Sequence, residues 1–167
     1  MASLFCFGRF KVRERNLAEY ILKHYKMEDS IDLKKIISIQ GIGFKIFENN
    51  EDARTWYNSN NNIIYINETL SKQLQNFAIA HSMGHYFLKH DDCAKDTYEQ
   101  MCSSDYRERS ANLFAYEILM PKKRVEKYLG EGLSQMEMSN RFHVLNGTMG
   151  KRLISLGDEY DREYVFF

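Results

Sequence analysis

The sequence predicts an α+β fold: a small antiparallel sheet covered by helices, one carrying an H-x-x-x-H pair, followed by a helical C-terminal region. Three observations predict it. Short β-rich runs cluster between residues 42 and 66, and two of them are joined by "NSNNN". From Asn67 onward the apolar residues recur at helical spacing. After the only proline, Pro121, three more helical patterns follow.

Taken in order, "VRERNLAEYILKHYKM" places Leu17, Tyr20, Ile21 and Tyr25 close to one helical face. "IDLKKIISIQGIG" reads as a short helix stopped by Gly41 and Gly43. "IGFKIF" alternates Ile42, Phe44 and Ile46, as a half-buried strand does. "TWY" and "IIYI" are strand pieces, and the asparagine-rich run between them suits a hairpin loop. "NETLSKQLQNFAIAHSMGHYFLKH" offers Asn67, Thr69 or Ser71 as a helix cap, then Leu74, Phe77, Ile79, Met83, Phe87 and Leu88 as its apolar positions. "DDCAKDTYEQMCSSD" reads as a polar connection. "YRERSANLFAYEILMP" is a second long helix closed by Pro121. "KKRVEKYLG", "LSQMEMSNRF" and "TMGKRLISLG" complete the helical tail.

Composition narrows the function classes. A chain of 167 residues, 44% hydrophobic and 14% aromatic, can bury a real core. Its 23 basic and 23 acidic residues cancel, so nothing global draws it to nucleic acid or an anionic membrane. Cys6, Cys93 and Cys102 are odd in number and form no C-x-x-C pair, which argues against a disulfide framework and for a reducing cytoplasm. No stretch approaches the roughly 18 uninterrupted apolar residues of a membrane span. The apolar start "MASLFCFGRF" precedes its basic residues instead of following them, unlike a signal peptide.

Chemistry concentrates in "FAIAHSMGHYFLKH". His81 and His85, four apart on a helix, lie about 40° apart around its axis, so two imidazoles can take two corners of a tetrahedral metal site. Such a pair alone is common by chance. On the second helix Glu108 and Asn112 are also four apart. Glu108 can supply a third ligand, and Asn112 can orient a ligand histidine through its other ring nitrogen. Taken singly, Glu108 reads better as a solvated helix charge paired with Arg107, Arg109 or a lysine.

Together these blocks resemble the ImmA/IrrE family of metallopeptidases, with its F-x-x-A-H-E-x-G-H motif followed by E-x-x-A-N-x-F-A-x-x-L-L-M-P. The first motif is matched at Phe77, Ala80, His81, Gly84 and His85. The second is matched at Glu108, Ala111, Asn112, Phe114, Ala115, Leu119, Met120 and Pro121. The resemblance runs from about Ala18 to Gly157. It implies zinc held by His81, His85 and Glu108, and action on helix-turn-helix transcriptional repressors in mobile elements and stress responses. It also implies a zincin-like metallopeptidase domain over residues 1–130, with the helical region 131–167 packed on it.

One departure bears on catalysis. Where the family has its general-base glutamate, this chain has Ser82. A hydroxyl is no base near neutral pH, and loss of general acid–base help typically costs about 10²–10⁴-fold, whereas metal binding needs only the ligands. His90, Asp91, Asp92 and Tyr86 can replace the glutamate only if the chain folds back. The sequence therefore leaves open a zinc-binding scaffold with weakened or lost hydrolysis, a partner-binding pseudopeptidase, and a peptidase with an unusual proton shuttle. A reading from another class rests on "GLSQMEMSNRFHVLNGTMGKRLISLG". Its helix-turn-helix rhythm and the basic Arg141, Lys151 and Arg152 would suit DNA, though the balanced charge disfavours it.

Overall fold

Two helices start the chain, α1 (Leu4–His24) and α2 (Leu33–Ile39), before the strands β1 (Gly43–Phe47), β2 (Ala53–Asn58) and β3 (Ile63–Asn67). The long helix α3 (Lys72–Leu88), a two-residue strand β4 (Asp96–Thr97), the short α4 (Tyr98–Met101) and α5 (Tyr106–Leu119) come next. The tail folds as α6 (Lys122–Gly130), α7 (Gln135–Arg141) and α8 (Asn146–Glu163). This computed structural model describes residues 4–27, 31–48, 53–91 and 96–163. It divides into two compact units, Met1–Leu119 and Met120–Phe167. Among the described residues no helix is long and apolar enough to cross a membrane.

In the first unit the fold class is α+β as expected, but the sheet is mixed. Its order is β1-β3-β2-β4. The hairpin β2–β3 is antiparallel, with Trp56 opposite Tyr65 and Tyr57 opposite Ile64. β1 instead pairs parallel with the free edge of β3, from Gly43 opposite Ile63 to Phe47 opposite Asn67. The reason is topological: β1 and β2 run oppositely, yet β3 lies between them, so β1 meets a strand of its own direction. Side chains alternate across a strand. Thr55, Tyr57, Ile64 and Ile66 are therefore buried together on one face. Trp56 stacks on Tyr65 on the other, with ring centroids 4.2 Å apart. Ile46, expected inside, is 59% exposed at the end of edge strand β1.

Helix α3 starts where Ser71 accepts the Leu74 amide, and ends at Lys89 in the left-handed conformation. Every residue from Ala78 to His85 is buried. An interior helix of this kind needs cover on all sides, which β2, β3 and α5 supply. The approach of α5 is closest at Gly84: a Cβ there would stand 2.9 Å from both the Cα and the carbonyl oxygen of Ala111. Alanine would gain about 1 kcal/mol of helix propensity, but backbone has nowhere to yield, and overpacking costs about 1–3 kcal/mol. Gly84→Ala should therefore lower the melting temperature, and a raised melting temperature would refute this close crossing.

Helix α1 presents Glu14, Ala18, Ile21 and Leu22 inward, while Tyr20 is 65% exposed. The inward face is thus turned from the expected one because α5 partners the buried acid: Ser110 Oγ donates to Glu14 Oε1. Arg15 reinforces the pairing with a 2.9 Å ion pair to Glu117.

The second unit builds its own core from Val125, Met138, Phe142, Val144, Met149 and Leu156. Ser134 and Glu137 form a reciprocal capping box at the start of α7. Arg152 is fully buried and its Nε donates to the Met120 carbonyl, 3.1 Å away. Arg141 lies over the Tyr128 ring at 5.1 Å. Burial therefore removes Arg152 from the basic trio that a DNA phosphate would meet.

Candidate metal centre

The alternation of faces around α3 sorts its polar residues. His81 and His85 point toward α5, whereas Ser82, about 100° further round, points to the sheet. Helix α5 begins where Asp105 Oδ1 accepts the Arg107 amide at 2.8 Å. Its first turn carries Glu108, 7% exposed, into the same space. There His81 Nε2 lies 3.0 Å from His85 Nε2 and 3.2 Å from Glu108 Oε2, and His85 Nε2 lies 3.6 Å from Glu108 Oε1. A fourth group comes from the sheet edge. Asp96 on β4, opposite Thr55 of β2, brings Oδ2 to 3.6 Å from His81 Nε2.

Each imidazole is held from behind. Asn112 donates its Nδ2–H to the Met101 carbonyl, so its Oδ1 faces His81 Nδ1 at 3.0 Å. His85 Nδ1 lies 3.1 Å from His90 Nδ1. Burial first, then the neighbouring charges of His85 and Arg107, lowers His90 to about 4, so it stays neutral and can accept. With Nδ1–H of both rings engaged, both Nε2 lone pairs are turned to one point.

Electrostatics fit a cation at that point. Burial alone would lower the pKa of His81, but Asp96 and Glu108 outweigh it and lift it to about 9. Burial would raise Glu108, yet His81 and His85 hold it down at about 2. Burial pushes Asp96 up against the pull of His81. Glu108 Oε2 is buried without a well-aligned hydrogen-bond donor, its 3.2 Å approach to His81 being a charge contact only. The four donor atoms all lie within 4.8 Å of one another. A buried set of two imidazoles and two carboxylates at this spacing suits a divalent metal.

Residues 42–153 match the model of the IrrE N-terminal-like domain, more than half of the chain. The chain belongs to this ImmA/IrrE family. Metallopeptidase ImmA of Bacillus subtilis (strain 168) is 33% identical over 105 residues, 61% of this chain and 61% of that protein. The fold is shared with a Mycobacterium tuberculosis transcriptional regulator at a TM-score of 0.63 and 20% identity, over 86% of this chain and 48% of that one. This chain thus spans less than two thirds of the curated relative and about half of the structural neighbour. Membership in a metallopeptidase family implies a metal, and the buried cluster can hold one.

The structure brings His81, His85, Glu108 and Asn112 together around one point. Ser82 stands apart from it. Thr55 Oγ1 donates to the Tyr65 carbonyl at 2.9 Å, and a hydroxyl has one proton. At 2.5 Å from Thr55 Oγ1, Ser82 is therefore the donor, and its proton points into the sheet. Of the residues weighed as substitutes for the missing base, Tyr86 donates its hydroxyl to Gln40 and Asp91 is exposed. His90 lies behind His85, away from the other donors. Asp92 and Cys93 lie outside the described residues, and Cys102 is exposed, outside the buried donor group. Sequence reasoning missed Asp96, and considered His90 only as a replacement base, not as the partner behind His85. His90 at least had a signal, five residues after His85 at the end of the same helix; Asp96, in a stretch read as a polar connection, had none.

Proposed function

We propose that this chain is a cytoplasmic zinc-binding metallopeptidase scaffold that acts on a helix-turn-helix repressor-type protein, with peptide hydrolysis weakened or lost. His81, His85 and Glu108 are the zinc ligands in this reading, and Asn112 orients His81. Where a coordination position stays open, zinc would supply Lewis-acid activation of water or of a carbonyl. The chain's own contribution to proton transfer is what fails. The observation that carries this is the Ser82–Thr55–Tyr65 chain, which commits the Ser82 proton to the sheet at the position where the family places its base. The repressor-type partner is supported by family membership.

Elemental analysis of the purified chain should give about one zinc. Incubation with a mixed peptide library, read by mass spectrometry, should show cleavage at most about 10⁻² of that of a variant with the base restored. Fast cleavage by the chain as it stands would overturn the loss of hydrolysis. Asn112→Ala should weaken zinc binding about 10–100-fold, as removal of a ligand's hydrogen-bond partner does. Competition against a chelating dye measures it, and an unchanged affinity would remove Asn112 from this role.

A further inference from the structure

Strand β4 brings to the centre a carboxylate that the motif of two histidines and one glutamate does not include. Asp96 is 4% exposed and sits opposite Thr55, on the sheet face that α3 covers. Building on the zinc reading above, we infer that Asp96 is a fourth protein ligand. The centre is then closed by His81, His85, Asp96 and Glu108, with no coordination position left for a substrate.

Spacing is the first argument. A tetrahedral ion with bonds of about 2.0–2.1 Å keeps its donor atoms about 3.3–3.4 Å apart. His81–His85, His81–Glu108, His85–Glu108 and His81–Asp96 approach to 3.0, 3.2, 3.6 and 3.6 Å, around that value, with Glu108 using Oε2 toward His81 and Oε1 toward His85, and one donor atom from each of the four residues lies within 4.8 Å of the others. A residue serving as base must stand off by the depth of the molecule it deprotonates. Asp96 stands no further from His81 than the other donors stand from one another.

Charge is the second. Two neutral imidazoles and two carboxylates cancel the two charges of zinc, whereas one carboxylate leaves a net charge in a buried site, which is costly. Glu108 Oε2, buried without a hydrogen bond, is independently aimed at the same point. Third, Ser82, which follows the first ligand histidine, is turned away from the donors, its proton held by the sheet. A closed centre of this kind joins β4 to α3 and α5 and stabilises the fold by its binding free energy.

The test uses the full chain loaded with cobalt(II) in place of zinc, followed by its visible spectrum under azide titration. The parent should show the intense absorption of a four-coordinate ion, unchanged by azide. Asp96→Ala should bind cobalt at least about tenfold more weakly and acquire an azide-dependent shift. A parent spectrum that azide shifts, with Asp96→Ala binding as tightly as the parent, overturns the fourth ligand and leaves zinc binding by the other three intact. Failure of the parent to bind cobalt or zinc overturns both. The azide response of the parent needs no variant, so it decides the question even if Asp96→Ala does not fold.

Discussion

His81→Ala is expected to abolish zinc retention, leaving essentially no metal where the parent is expected to carry about one ion per chain. His81 is the hub of the centre: its Nε2 is 3.0 Å from His85, 3.2 Å from Glu108 and 3.6 Å from Asp96. Removing it takes out one donor and leaves two buried carboxylates facing a single imidazole. The metal-free fold suffers as well, because those carboxylates lose the cation that His81 becomes. The same coupling sets a pH dependence. In the metal-free chain His81 holds a proton up to about pH 9, against an ordinary value of 6.5. Zinc must displace that proton, so affinity should fall about tenfold per unit as pH drops below about 9. Elemental analysis and zinc titrations at several pH values check both. Retention of one zinc by His81→Ala would remove this histidine from the ligand set.

The parts of this centre that could be read in advance lie on long periodic helices. α3 and α5 announce themselves by apolar spacing, a capping serine and a terminal proline, and those helices carry His81, His85, Glu108 and Asn112. What stayed hidden depends on partners far along the chain. Glu14 looks like a surface charge until Ser110, 96 residues away, donates to it, and Tyr20, about 240° further round the same helix, is exposed. β1 looks like the first strand of a meander, and only its pairing past β2 makes the sheet mixed. Asp96 is the sharpest case. It lies in a polar run that folds as a two-residue strand, its register irregular against β2, and only that pairing brings it to the histidines.

Ser82→Glu should restore hydrolysis only in part, and most fully when combined with Asp96→Ala. The replacement returns a carboxylate beside the centre, where general acid–base help is worth about 10²–10⁴-fold. Two obstacles stand in its way. The Ser82 hydroxyl is fully buried and 2.5 Å from Thr55, so a glutamate must displace that contact and overpack the sheet, at about 1–3 kcal/mol. If Asp96 fills the fourth corner, a new base finds nothing to deprotonate. The expected order of cleavage rates is therefore parent and Asp96→Ala lowest, Ser82→Glu higher, and the double variant highest by about 10²-fold or more over Asp96→Ala. Peptide-library cleavage read by mass spectrometry ranks them, with zinc content measured on each sample. A double variant that binds zinc, folds and still cleaves nothing would show that a carboxylate at position 82 and an opened centre are not sufficient for hydrolysis. Equal rates for Ser82→Glu and the double variant would instead separate Asp96 from the coordination of the metal.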